Sequence, residues 1–383
     1  MSQQPPLRVL HYMDAIDLAE GGVVRCVLDL CNVLSLHDCQ VTLATYNAQD
    51  VPEAWHDRPG APQVVHIAEE PGKFQQALES ATVAHLHTIW DPRNITLARQ
   101  LRRRQVPYVV SLHGMLDDWC TAQKALKKKV FHWLLGRRML EGAYRVHCTA
   151  SGEEQQARKW YPQGTSVVLP LLVDMPSPEL LPGPEPARQA YPSLTNGDAQ
   201  LLFLSRVHPK KGVDTLLRAA ALATQQGVAL QVNIAGPGDE AYVAELQALA
   251  ESLGIADRCH FLGLVTGDVK LSLYEAADLF VLPTHQENFG LVLPESLVCG
   301  TPVVTTKGVD IWPEIEAAGG VIVEPHPEAF ADQIATLVAD LPALVERGLR
   351  GRQYIADWLD AERVVEQYKK LYSDAMDHQP EGR

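Results

Sequence analysis

The stretch Asp278–Thr306, DLFVLPTHQENFGLVLPESLVCGTPVVTT, decides the fold. Its apolar run Asp278 to Leu282 reads as a strand buried on both faces, an environment that parallel sheets covered by helices provide. The turn Asn288-Phe289-Gly290 leads into a helix that opens near Leu291 and closes at Gly300, and PVVTT then restarts a strand. Glu287 and Glu295 stand eight residues apart in this unit. Glu287 falls at the strand's carboxyl edge and Glu295 about one turn inside the helix. Both carboxylates and the N–H groups of the turn can therefore converge on one polar ligand.

The same alternation extends in both directions. From Leu7, the runs LRVLHYM, QVTLATY, VAHLHT, YVVSLHG, YRVHCTA and SVVLP alternate with amphipathic stretches. The pattern breaks between Asp174 and Asp198, where Pro176, Pro178, Pro182, Pro184, Pro186 and Pro192 crowd a segment without apolar periodicity. It restarts with QLLFLSR, LQVNIAG, CHFLG, DLFVLPT, PVVTT and GVIVE, and the segment from about Pro342 to Met376 reads as helical. The reading is α/β: two doubly wound, Rossmann-like domains facing each other across a cleft, with ligands outside the carboxyl ends of the strands.

Bulk properties narrow the function. At 383 residues the chain is long enough for two cores. A charged fraction of 21% and an apolar fraction of 46% belong to a folded chain, and a net charge of −14 argues against generic nucleic-acid binding. The N-terminus shows no charged leader with an apolar block, and no run of roughly 18 apolar residues occurs, so a cytoplasmic protein is expected. The seven cysteines lack a C-x-x-C pair and read as free, mostly buried thiols.

The strand ends carry the chemistry. Arg206 and Lys211 flank a strand edge just before a helix begins near Gly212, a placement that can hold a diphosphate and stabilise a leaving group without a metal. The bland alternative is a solvated turn with surface cations. In Ala235-Gly236-Pro237-Gly238-Asp239 the glycines admit a nucleotide closely, or simply make a turn. Glu20-Gly21-Gly22-Val23 follows the first strand and precedes a helix from about Val24 to Leu36, where backbone N–H groups can meet a phosphate or sugar. It is not a G-x-G-x-x-G fingerprint, which disfavours a plain dinucleotide-binding enzyme. His113-Gly114 closes another strand, where a neutral imidazole can donate to a hydroxyl or accept from one. Asp117-Asp118 lacks the D-x-D spacing of a metal site, and no metal is expected.

These residues resemble the retaining, nucleotide-sugar-dependent glycosyltransferases of family 4 (glycosyl transferases group 1), which have the GT-B architecture. The resemblance covers nearly the whole chain and rests on Gly21-Gly22, His113-Gly114, Arg206 to Gly212, and Glu287-x7-Glu295 followed by CGTPVV. It implies an acceptor-binding domain over residues 1–175, a Pro-rich linker at 176–198, a donor-binding domain over 199–360, and a C-terminal helix at 361–383 that packs back on the first domain. Arg206 and Lys211 would bind the donor diphosphate. Glu287 would contact donor-sugar hydroxyls, with the N–H groups of Asn288, Phe289, Gly290 and Leu291 nearby. Glu295 would hold the ribose, Gly236, Leu264 and Val265 would lie along the nucleotide, Gly21 and Gly22 near the phosphates, and His113 against the transferred sugar. Ser205 stands where the family often has Gly, and Lys307 to Glu314 differs from the usual Gly-Gly-x-x-Glu.

The implied activity is transfer of a hexose from a UDP- or GDP-linked donor to a hydroxyl acceptor, carbohydrate or lipid-linked, with retention and without a cofactor. The departing phosphate oxygen would accept the acceptor's proton. Cell-surface or exopolysaccharide assembly is the expected setting. A nucleotide-sugar 2-epimerase and a non-catalytic nucleotide-sugar-binding protein are the competing readings. The basic stretch Lys124 to Arg138 reads either as a domain helix with its cations in solvent and its apolar side on the sheet, or as a peripheral contact with anionic lipid at the inner membrane surface.

Overall fold

Thirteen strands form two all-parallel sheets in the computed structural model, which describes residues 6–122, 125–173 and 175–378. The first sheet contains β1 (Arg8–Tyr12), β2 (Gln40–Thr45), β3 (Gln63–His66), β4 (Val83–His87), β5 (Tyr108–Ser111), β6 (Arg145–Cys148) and β7 (Ser166–Val168). Their order is β3-β2-β1-β4-β5-β6-β7. Every residue of β4 and β5 is buried, which is why these strands are mostly apolar. One sheet face packs against the helices Gly22–Leu36 and Ala361–Asp377, through Val24, Val27, Val364 and Tyr368. The other packs against the helix Pro92–Arg103, through Ile95, Leu97 and Leu101.

The second sheet contains β8 (Ala199–Leu204), β9 (Leu230–Ala235), β10 (Cys259–Gly263), β11 (Leu279–Leu282), β12 (Val303–Thr306) and β13 (Val321–Val323), in the order β10-β9-β8-β11-β12-β13. In each sheet the strand order reverses once, between β1 and β4 and between β8 and β11. Loops leave in opposite directions at such a switch point, so a crevice opens at the carboxyl ends of the two strands. The chain divides accordingly into a unit of Met1–Asp174 with Leu359–Arg383 and a unit of Met175–Trp358.

Three details differ from the sequence reading. Gln63–His66 is a strand that the apolar-run criterion passes over, because it is short and begins with an exposed Gln. Residues 176–198 are more than a linker: they carry a helix, Glu185–Ala190, that packs on the helix Gly267–Ala276 and donates the Ala187 N–H to Ser272 Oγ at 2.9 Å. Proline suits the first turn of a helix, where its missing N–H has no intrahelical partner to lose. The helical tail is two helices, Leu341–Trp358 in the second unit and Ala361–Asp377 in the first, with Asp360 capping the latter at the Arg363 N–H.

Candidate active-site residues

In the second unit, Arg206 and Lys211 follow β8 and Glu287 follows β11, the two strands of the switch point. The loop between β8 and its helix contains a short 3-10 turn, Pro209–Lys211, ended by Gly212 at φ 70°. A side chain at Gly212 would place its Cβ 2.1 Å from the Pro283 carbonyl oxygen, so only glycine lets this loop lie against the β11 exit. The Lys210 carbonyl then accepts from the His285 N–H at 2.9 Å and from Thr284 Oγ1 at 3.1 Å. Those bonds bring Lys211 Nζ into an ion pair with the Glu287 carboxylate. Arg206 is exposed beside them.

Lys211 is buried, and burial, followed by the charges of Lys210 and Arg206, pulls its pKa down from the ordinary lysine value to about 7. Its charge therefore depends on an adjacent anion, which Glu287 supplies. Glu287 is held by its backbone: its N–H donates to the Gly308 carbonyl at 2.8 Å, and the Asp310 N–H donates to its own carbonyl at 3.0 Å. Asn288 Nδ2 donates to Asp310 Oδ2 at 3.2 Å. Gly290, at φ 64°, turns the chain where a Cβ would meet Glu287 Cγ at 2.8 Å. Phe289 is buried and stacks on Trp358, with ring centroids 5.5 Å apart. Leu291 immediately precedes the helix Val292–Val298.

Glu295 sits at the fourth residue of that helix. Lys270 Nζ donates to its Oε1 at 2.7 Å and the Tyr274 hydroxyl to its Oε2 at 3.1 Å. Burial and then the Glu295 charge keep Tyr274 protonated, so it remains a donor. A carboxylate offers about four lone-pair directions, which leaves Glu295 acceptor capacity for a ligand's hydroxyls. Gly236 follows β9, and Leu264 and Val265 follow β10, with Leu264 exposed and Val265 buried. Glu314 lies in the helix Trp312–Ala317; its Oε2 is buried without a partner among the described residues, and burial raises its pKa. Lys307 lies over the Trp312 ring at 5.4 Å.

In the first unit, Gly21 and Gly22 begin the helix after β1, with Gly21 at φ 114°. His113 lies two residues beyond the end of β5 at φ 50°, a left-handed backbone uncommon outside glycine. Its Nε2 is 3.1 Å from His87 Nδ1, and His87 Nε2 is 3.0 Å from His11 Nδ1. A second branch runs from the Tyr372 hydroxyl to His85 Nδ1 (2.8 Å), from His85 Nε2 to Ser111 Oγ (2.7 Å), and from Ser111 Oγ to His147 Nδ1 (2.6 Å). Burial holds His11 and His113 down to about 3 and His147 to about 4, and it lowers His85 and His87 well below the usual range, so these rings are neutral. Nitrogens of His11, His85 and His87 lie within 4.8 Å of one another, close enough to gather a metal ion. Both ring nitrogens of His85 and of His87 already have protein partners, which leaves His11 Nε2 as the one ring nitrogen of these three without a partner among the described residues.

The structure thus joins Lys211 to Glu287, and it adds Lys270 and Tyr274 to Glu295. Neither addition is legible from spacing, because both contacts close over more than twenty residues of chain. His11, His85, His87 and His147 are missed as well, since a histidine inside an apolar strand reads as core. Lys124, the first residue of the basic stretch, lies outside the described residues. The rest forms the helix Ala125–Phe131, the π-helical turn His132–Gly136 and the helix Arg137–Glu141. His132, Gly136, Met139 and Leu140 are buried, at i, i+4, i+7 and i+8. Leu126 (79% exposed), Val130 (47%), Trp133 (75%) and Leu134 (53%) repeat that spacing in solvent. The helix therefore has a second apolar stripe, which the reading of an apolar side on the sheet and cations in solvent does not contain.

Comparison with known proteins agrees with this geometry. The family model "Glycosyl transferases group 1" matches residues 189–353, and "Glycosyl transferase 4-like domain" matches residues 21–171. The chain is 31% identical over 292 residues to a D-inositol 3-phosphate glycosyltransferase of Thermomonospora curvata, covering 72% of this chain and 68% of that one. It is similar in fold to Anabaena HepE in complex with UDP (TM-score 0.78, 18% identity, 96% of this chain and 100% of that one). A sucrose-phosphate synthase of Thermosynechococcus elongatus is also similar in fold (TM-score 0.75, 21% identity, 96% and 98%). With two parallel α/β units, paired charges at a switch point and these matches over both halves, the chain belongs to the group 1, family 4 glycosyltransferases and has the GT-B fold.

Proposed function

We propose that this glycosyltransferase moves a hexose from a UDP- or GDP-linked donor to a hydroxyl acceptor, with retention and without a metal, in assembly of cell-surface or extracellular polysaccharide. The observation that carries the reading is the pair of buried Lys211 with half-buried Glu287, beside Arg206, at the β8/β11 switch point. Lys211 needs an anion to stay charged, and a donor diphosphate offers a stronger one than a single carboxylate. On binding, Lys211 and Arg206 turn to the phosphates, and Glu287 is released to accept hydrogen bonds from sugar hydroxyls. As the bond from the sugar's anomeric carbon to the phosphate oxygen breaks, both cations stabilise the charge that collects on the nucleoside diphosphate. The acceptor oxygen bonds to the same face, and its proton passes to the departing phosphate oxygen. Metal independence belongs to this proposal because the two side chains supply the positive charge.

The test is nucleotide release from UDP- and GDP-linked glucose, galactose, mannose and N-acetylglucosamine, with and without EDTA. Release from one donor that persists in EDTA supports the reading. Release abolished by EDTA and restored by a divalent cation contradicts metal independence, and nucleotide binding without transfer to any carbohydrate or lipid-linked acceptor contradicts the transferase role.

A second observation favours a cytoplasmic enzyme that works at a membrane surface. No helix among the described residues is long and apolar enough to cross a membrane. The stripe of Leu126, Val130, Trp133 and Leu134 nevertheless faces solvent, with exposed Lys127, Lys129 and Arg138 alongside on a chain of net charge −14. Apolar residues flanked by cations suit the boundary of an anionic bilayer, where each cation contributes about 1 kcal/mol. We infer that this face docks on anionic lipid and brings the enzyme to a lipid-linked acceptor. Cosedimentation with phosphatidylglycerol vesicles that is lost in Trp133→Asp supports it; equal sedimentation of both proteins, or none with either, overturns it.

A further inference from the structure

The first unit contains three imidazoles in series, and their protons are not independent. His113 Nε2 meets His87 Nδ1 at 3.1 Å, and His87 Nε2 meets His11 Nδ1 at 3.0 Å. His11 Nε2 is buried with no partner among the described residues. All three rings are neutral for the burial reason given above, and a neutral imidazole carries one ring proton. Two N···N hydrogen bonds in series then allow only two arrangements. If the protons sit on Nε2, His113 donates to His87 and His87 to His11, which leaves the His11 Nε2–H buried without an acceptor. If they sit on Nδ1, His11 donates to His87 and His87 to His113, and the unmatched atom is a bare nitrogen lone pair. Orphaned buried N–H groups are rarer than unfilled acceptors, so the second arrangement is favoured.

We propose that His87, which keeps its proton on Nδ1 because the series ending at His11 offers no acceptor, is a positioning residue that locks His113 in the Nδ1–H tautomer, so that His113 meets the sugar as a hydrogen-bond donor to an oxygen and not as a base. The proposal rests on the reading that His113 contacts the transferred sugar. The rings are held in place for this role: His85 stacks on His87 with centroids 4.4 Å apart, and His85 is itself fixed by Tyr372 and Ser111. Such partners set tautomer and orientation in the way that outer groups fix a metal-bound histidine. The device also gives the C-terminal helix a task, since Tyr368 and Tyr372 approach the network from Ala361–Asp377.

The tautomer is read directly from long-range ¹H–¹⁵N correlation of ring nitrogens in the ¹⁵N-histidine-labelled full chain, with His113→Asn used for assignment. Protonated Nδ1 on His113 is expected; protonated Nε2 overturns the proposal, whether or not a donor has been found. Two substitutions extend the test to function. His11→Asp sets an acceptor against His87 Nε2, so His87 and then His113 should turn to Nε2–H and kcat should fall about tenfold, the worth of one hydrogen bond. In His11→Phe the unmatched atom becomes His87 Nε2, again a bare lone pair, and the wild-type His113 pattern and kcat within about twofold of wild type are expected. Equal losses in the two variants with the His113 pattern unchanged would mean a packing role only and would overturn the proposal.

Discussion

The two strand edges differ in charge. In the second unit the switch point holds two cations and a carboxylate, Arg206, Lys211 and Glu287, with Lys211 buried against its anion. In the first unit the corresponding edge holds neutral imidazoles whose burial removes any tendency to ionise. The difference teaches a division of labour that Coulomb's law imposes. A diphosphate needs fixed positive charge in a place of reduced dielectric, whereas a sugar needs directional donors and acceptors that carry no charge.

Removing the charge from the charged edge should have the largest effect. Lys211→Ala is expected to keep its fold, as judged by circular dichroism and thermal melting, and to lose at least about 10²-fold in kcat, as for other preorganised donors to a developing oxyanion. Wild-type turnover in a folded Lys211→Ala protein would break the contrast between the edges.

The pH profile sharpens the same contrast. Burial and the neighbouring cations lower the Lys211 pKa to about 7, and the Glu287 carboxylate raises it from there in the free protein, so the ammonium is lost as pH rises through a value below the ordinary lysine range. Donor kcat/KM should therefore fall on the alkaline side, while kcat holds to higher pH because bound diphosphate retains the proton. Lys211→Arg, whose guanidinium stays charged, should lose the alkaline limb. His113 is expected to add no limb between pH 5 and 9, since burial holds it down to about 3.

A smaller effect is expected at Glu295. Glu295→Gln keeps the side chain's size but loses the charge that Lys270 and Tyr274 support. Donor KM should rise about tenfold with kcat nearly unchanged, the pattern of a contact made equally in ground and transition states. A fall in kcat with KM unchanged would move Glu295 out of the ribose role.

Much of this was legible in the sequence, for physical reasons. Parallel strands buried on both faces are rich in apolar residues, so β1, β4, β8 and β11 announce themselves, and the loops at their ends follow from the rule for doubly wound sheets. Glu287 and Lys211 could be named from their positions at strand ends. Their contact could not, because it depends on Gly212 letting one loop lie on the Pro283 carbonyl. Lys270 and Tyr274 were hidden by chain distance. The imidazole chain was hidden because His11, His85 and His87 occupy strand positions where a core residue is expected, and only parallel registers such as His11 opposite His85 align them. The stripe at Leu126, Val130, Trp133 and Leu134 is compatible in sequence with either a core-facing or a lipid-facing side, because helical periodicity gives a face but not the direction in which it points.

The most direct measurement is calorimetric titration of UDP and GDP into the wild-type and Lys211→Ala proteins in EDTA at pH 6.5. The account expects one nucleoside diphosphate to bind the wild-type protein without metal and to bind the variant at least about tenfold more weakly. Equal affinity for both proteins would contradict the claim that the Lys211 edge exists to hold a diphosphate.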